Sequence, residues 1–156
     1  MRRLSLVLVA LLSAACVRTR TDPVTGKVDV DVESPLKKGE DWNAKVTGQG
    51  AFASVQGSAK AAVLQGKSTV TLTLTGGKQG GRHPWMVHEG KCGSAGASVG
   101  SADAYPPLAF DADGKAEATA QLPVALDEAK DYHVRVHASS SDMATVIACG
   151  DLSDTA

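Results

Sequence analysis

The run Thr69-Val70-Thr71-Leu72-Thr73-Leu74 alternates polar and apolar residues without a fault. Successive side chains of a strand point to opposite faces, so Val70, Leu72 and Leu74 face one way and the threonines the other. This is the pattern of a strand with one face buried, and it sets the period against which the rest of the chain is read. Val46 to Val55, broken by Gly48 and Gly50, and then Ser58 to Leu64 predict two more strands around Gln56-Gly57. Pro84 to Glu89, Leu108 to Phe110, Ala116 to Leu122, Tyr132 to Ala138 and Thr145 to Leu152 follow, separated by Gly, Asp, Ser and Pro punctuation. Gly76 to Gly81 reads as a turn and Gly90 to Tyr105 as a Gly/Ser/Ala-rich loop. No convincing helix and no internal repeat are visible. The expectation is an all-β domain, an antiparallel sandwich or barrel of about seven or eight strands.

Before that domain the chain has a different character. Met1-Arg2-Arg3 is positive, Leu4 to Leu12 is uncharged and mostly apolar, and Ser13-Ala14-Ala15 are small. That order is the grammar of a secretory signal peptide over residues 1–15, and the apolar run is well short of the roughly 20 residues a membrane span needs. Cys16 stands where the cysteine of a bacterial lipobox receives its lipid, although Ser13 replaces the usual Leu. Ordinary cleavage near Ala15, leaving Cys16 a free thiol, is the alternative. Residues 16–41 are read as a lipidated cysteine and tether. Lys27 to Glu33 alternates strictly enough for an edge strand, but its aspartates have poor strand propensity. The folded domain is expected over 42–152, with 153–156 a tail.

The chain has three cysteines. Lipidation of Cys16 removes the odd one and leaves Cys92 and Cys149 to pair, as an oxidising compartment permits. The loop so closed, of roughly 57 residues, is worth about 4 kcal/mol in the chain-entropy treatment. Sixteen basic residues against 17 acidic ones leave no net field to recruit nucleic acid or anionic lipid. No basic run interleaves with aromatics, so nucleic-acid binding is excluded. The membrane enters as a partner only through the lipid anchor. Val17 after Cys16 carries no obvious inner-membrane retention signal, which favours the outer membrane of a bacterial envelope.

Chemistry-bearing residues are few. In Trp85-Met86-Val87-His88 the pair Met86 and His88 share one parity; in Tyr132 to Ala138, His133, Arg135 and His137 point opposite to the valines. With the apolar sets facing the core, Met86, His88 and His137 are expected to project from the outer surface. Thioether plus imidazole suits Cu(I). On the residues alone, surface histidines that only hydrogen-bond remain the alternative. His83, before Pro84, reads as a hydrogen-bonding bracket and Glu89 as a solvated strand-end carboxylate. No Gly-x-Ser-x-Gly, no paired-cysteine zinc motif and no phosphate-binding Gly loop occurs. Asp111-Ala112-Asp113-Gly114 lacks the remaining ligands of a calcium loop and is read as a hairpin turn.

The stretch His83-Pro84-Trp85-Met86-Val87-His88-Glu89-Gly90-Lys91-Cys92-Gly93 resembles the copper-site strand of copper/zinc superoxide dismutases, which reads His-Gly-Phe-His-x-His-Glu with a cysteine further on. Ala148-Cys149-Gly150 is similar to the C-terminal Ala-Cys-Gly of that family, Tyr132 to His137 to its last copper-histidine strand, and Pro106-Pro107-Leu108 with Asp111 to Gly114 to the segment leaving the zinc subloop. The resemblance implies a Greek-key β-barrel or sandwich, copper ligation by His88 and His137, a Cys92–Cys149 disulfide, and a structural, non-ligating His83.

The departures bear on activity. Met86 stands for a copper histidine, and Gly93 to Tyr105 contains no histidine. Asp103 alone cannot make a four-ligand zinc site, so zinc is not expected. The stretch between His137 and Cys149 is too short for the family's charged guidance loop, and Val146 replaces its channel arginine. The reading that follows is an exported, lipid-anchored protein that holds copper through a reduced site and is not a competent dismutase. The alternatives are a structural or adhesive β-sandwich module without metal, since Val134-Arg135-Val136-His137 also resembles chordin-type repeat domains, and a copper-only superoxide dismutase.

Overall fold

The computed structural model describes residues 17–21, 28–32 and 40–154. The stretch 1–15 expected to be a signal peptide, Cys16 and the last two residues lie outside them. The chain divides into two compact units, Met1–Lys37 and Lys38–Ala156. The first holds a feature that the reading as a tether did not include. Strand β1 (Val17–Thr21) pairs antiparallel with β2 (Val28–Val32), setting Arg18 opposite Asp31 and Arg20 opposite Asp29.

The second unit is all-β, as expected. A curled seven-stranded antiparallel sheet runs in the order β7-β10-β11-β3-β4-β5-β9. Its members are β3 (Glu40–Gly48), β4 (Gln56–Leu64), β5 (Lys67–Thr75), β7 (Trp85–Glu89), β9 (Ala116–Leu122), β10 (Tyr132–Ser139) and β11 (Asp142–Asp154). Two short strands, β6 (Arg82–His83) and β8 (Leu108–Ala109), pair with each other. β6 leads directly into the edge strand β7, and β8 turns into the other edge strand β9 through a tight hairpin closed by Asp111 N–H to the Lys115 carbonyl, 2.8 Å. The pairing therefore stitches the two edges of the sheet at one end. The cyclic order skips the β8–β9 hairpin on leaving β5 and skips β6–β7 on leaving β9, a Greek-key crossing on each side. Val46 to Val55 is not one strand: β3 stops at Gly48, and Gly50–Phe52 forms a single 3₁₀ turn.

Burial follows the alternation read from the sequence. Val70, Leu72 and Leu74 are fully buried, and register places each between small residues: Ala61–Val70–Ala120, Ala59–Leu72–Ala118 and Gly57–Leu74–Ala116. Large residues on the central strand with alanine or glycine on both flanks let the sheet curl tightly while its interior stays filled. Trp42, Trp85, Leu108, Phe110 and Tyr132 close the rest of the core. Outside β5–β9 the threonines meet solvent, Thr71 hydroxyl to Thr119 hydroxyl at 3.0 Å and Thr69 to the Gln121 amide oxygen at 2.9 Å.

Candidate metal centre

Strands β7 and β10 are neighbours, and their register fixes what lies on the outer face. His88 pairs with His133, Met86 pairs with Arg135, and His137 follows two positions on, its N–H donating to the Pro84 carbonyl at 2.8 Å. The His88 ring stacks on the His133 ring with centroids 5.5 Å apart, and the His88 and His137 centroids are 6.4 Å apart. Met86 lies on the same face between the His88 and His137 rows, half-buried against the apolar core. The alternation thus places Met86 on the same face as the His88 and His137 rings.

It does not leave them on an open surface. His88, His133 and His137 are 8, 0 and 3% exposed. For His88 and His133 the reason is the loop from Gly90 to Tyr105, which folds back instead of extending into solvent and sets the Gly96 and Gly90 carbonyls against the two rings. Glu89 N–H donates to the Ala97 carbonyl (2.9 Å), Val99 N–H to the Val87 carbonyl (2.8 Å) and Gly90 N–H to the Asp131 carbonyl (2.7 Å). Gly96 makes the closest approach, since a Cβ there would stand 1.7 Å from the Glu89 carbonyl oxygen. The disulfide Cys92–Cys149, Cα–Cα 6.0 Å, fastens the loop to β11. Tyr105, at the loop's end, donates its hydroxyl to the Val99 carbonyl, and burial pushes that phenol up to about 12.

The three buried histidines differ in how they are satisfied. His133 is bracketed by the Gly90 carbonyl at Nδ1 (2.9 Å) and by the Arg135 guanidinium at Nε2 (3.1 Å), and Arg135 also donates to the Ser94 carbonyl. His88 donates Nδ1–H to the Gly96 carbonyl at 3.0 Å, which leaves Nε2 as the lone-pair nitrogen. That Nε2 has no partner, and neither nitrogen of His137 has one. Of the four buried side-chain polar atoms without a hydrogen bond among the described residues, three belong to these two rings; the other is Trp42 Nε1. Leaving a buried polar atom unpaired costs about 1–3 kcal/mol.

Burial disfavours the charged form of both rings. Burial pushes His88 below the ordinary imidazole range, against the Gly96 hydrogen bond, and the Arg135 charge adds to the effect. Burial does the same to His137, and Arg135 again reinforces it. The Met143 backbone and the Asp142 charge oppose the shift, but Met143 lacks the geometry of a hydrogen bond, so both nitrogens stay unpaired. A neutral imidazole with a free lone pair is the form that binds a metal. Among the described residues no three His, Cys, Asp or Glu side chains form a ready metal-holding group.

His83 lies off this cluster. Its Nδ1 is 3.1 Å from the His137 carbonyl oxygen, and its ring packs edge-on to Phe110. Glu89 is not merely solvated but accepts from Lys130 Nζ at 2.7 Å. Asp103 is exposed in a 3₁₀ turn, Ala102–Ala104. Val146 lines an open cleft of about 270 Å³ beside Cys149, and Arg135 lines the same cleft from β10. The cleft therefore keeps a cation that counting position 146 alone overlooks. His133 and Arg135 were legible as residues sharing the parity of His137; nothing in the sequence distinguished the satisfied ring from the unsatisfied ones.

No protein-family model matches the chain, and no curated protein matches it.

Proposed function

We propose that the chain is an exported, lipid-anchored envelope protein that holds one copper ion through His88, His137 and Met86 and does not act as an efficient dismutase. The observation that carries the copper reading is the pair of buried rings, both neutral, with nitrogens that no protein group satisfies. Their chemistry fits the group: two imidazoles and a thioether match Cu(I), and no hard carboxylate competes in the set. Bound copper would supply a one-electron redox couple. His88 would present Nε2, held in that tautomer by Gly96, and the covering loop would limit access of water. The resemblance to copper/zinc superoxide dismutases supports the same assignment, and replacement of a copper histidine by Met86 argues against fast turnover.

The test is isothermal titration of the mature, oxidised protein with Cu(I) and with Zn(II). One Cu(I) site is expected, with zinc far weaker, and His88→Ala or His137→Ala should abolish it. Met86→His should move preference toward Cu(II). Equal copper binding by wild type and His88→Ala sinks the metal reading and leaves the structural or adhesive module. That second reading rests on the lack of a three-member His, Cys, Asp or Glu group among the described residues. Superoxide consumption by the copper-loaded protein at the rate of a true dismutase would overturn the non-enzymatic part. Anchoring is tested separately: Cys16→Ser should release the protein to the soluble fraction.

A further inference from the structure

The Arg135 guanidinium is half-buried on the outer face of β10, yet it forms no ion pair among the described residues. Its Nη2 is committed to the Ser94 carbonyl and His133 Nε2, neither of them a carboxylate. Nη1 and Nε bond to no described group, and neither is an enclosed orphan. These remaining donors accompany a charge that is partly withdrawn from water and not neutralised. A guanidinium in that condition is a standing attraction for an anion, because charge-assisted bonds to an oxyanion are about twice as strong as neutral ones.

The surroundings favour a small anion. Arg135 lines the cleft shared with Gln49, Ser94, Val146 and the Cys149 sulfur, and no Asp or Glu is among its lining residues. Gln49 adds a side-chain amide that can donate. Asp151 lies one row away on the same sheet face, opposite His133, and accepts the Cys92 N–H at 2.6 Å. Asp142 is engaged by the Thr145 N–H at 3.0 Å. A cleft of about 270 Å³ holds several waters at about 30 Å³ each, room enough for a polyatomic anion and part of its hydration shell.

We propose that this cleft is a binding site for a small inorganic oxyanion or short carboxylate, with Arg135 as its anchor. Arg135 reaches it from β10, one strand over from Val146, and its Nη2 is held by Ser94 and His133 so that the fork is already oriented. The site does not depend on the copper reading, because every group in it belongs to the metal-free protein.

The experiment uses copper-free, disulfide-intact protein labelled with ¹⁵N, titrated separately with formate and with sulfate. Saturable shifts are expected for the Arg135 Nε–H and the Ser94 and Ala95 amides, and not for the Thr69–Leu74 amides on the far side of the barrel. Arg135→Met should weaken the affinity at least tenfold. Val146→Asp, which puts a carboxylate on the cleft wall without touching the guanidinium's supports, should weaken it similarly and covers the case in which Arg135→Met does not fold. Shifts that never saturate, that appear equally at Thr69–Leu74, or that survive in Val146→Asp would overturn the proposal. Formate bound and sulfate not, or the reverse, tells a carboxylate site from an inorganic one.

Discussion

Two strand pairs of the same sheet place polar residues at outward-pointing positions, and they meet opposite fates. On β5–β9 the outward residues are Thr69, Thr71 and Thr73 against Gln121, Thr119 and Glu117; they hydrogen-bond across the strands and stay in contact with solvent. On β7–β10 the outward residues are Met86, His88, His133, Arg135 and His137, and the three histidines are buried. Both pairs obey the same period of two. For His88 and His133 the difference comes from the connection that follows β7, which hydrogen-bonds along its free edge and is fastened by a disulfide. Alternation decides which side of a sheet a residue takes. Whether that side is wet is decided by a loop distant in kind from the strand pattern.

The largest expected effect comes from breaking the fastening. Cys149→Ala should lower the unfolding free energy by about 4 kcal/mol, the chain-entropy value for a loop of 57 residues, and urea denaturation of both proteins measures it. It should also expose the β7–β10 amides to hydrogen exchange while those of β5–β9 keep their relative protection. Equal loss of protection on both pairs would erase the comparison.

Next comes His133→Ala. The ring is fully buried and spans the Gly90 carbonyl and Arg135, so its removal leaves a cavity and unpaired groups, at a cost of about 2–4 kcal/mol. His137→Leu should act in the opposite direction. No hydrogen bond is lost and two unsatisfied nitrogens disappear, so the metal-free protein should gain about 1 kcal/mol while losing copper binding. A destabilised His137→Leu protein would show that the ring does structural work. That contrast separates a histidine kept for the fold from one kept at the fold's expense.

Acid should weaken the covered pair only. His88 and His137 have folded-state pKa values below the unfolded imidazole value of about 6.5, so the unfolded chain binds more protons between the two. Their contribution is intact above that unfolded value and is lost as pH falls through it toward the folded values. Denaturation midpoints of metal-free protein should decline over this window, and decline less in His137→Leu. The smallest effect belongs to the solvated pair: Thr71→Val should change stability by no more than about 0.5 kcal/mol, measured by the same denaturation. A large loss there would mean that the two outer faces are not so different after all.

Much of this was legible in the chain. Thr69 to Leu74 announced its buried face, Tyr132 to Ala138 its split between valines and polar residues, and the cysteine count its disulfide. What could not be read was set by contacts that the strand period does not encode. The cover over His88 depends on Gly96 approaching Glu89 without a side chain in the way. The aspartates of β2, taken singly, argue against a strand, yet Val28–Val32 pairs antiparallel with Val17–Thr21. His133 and His137 stand at equivalent parity, and only the Gly90 carbonyl and the Arg135 guanidinium give one a support and leave the other without.

The rows Ala61–Val70–Ala120, Ala59–Leu72–Ala118 and Gly57–Leu74–Ala116 have a consequence for how such a sequence can drift. Each row is filled by one large residue and two small ones, and enlarging an alanine alone forces strain of about 1–3 kcal/mol. Shrinking the central residue alone leaves a hole that costs about as much or more. Descendants of this chain are therefore expected to trade volume along a row, a methylene gained on one strand against one surrendered next door. Substitutions at Ala59, Leu72 and Ala118 should arrive in company, and a pairwise mutant cycle across any one row would measure how strongly.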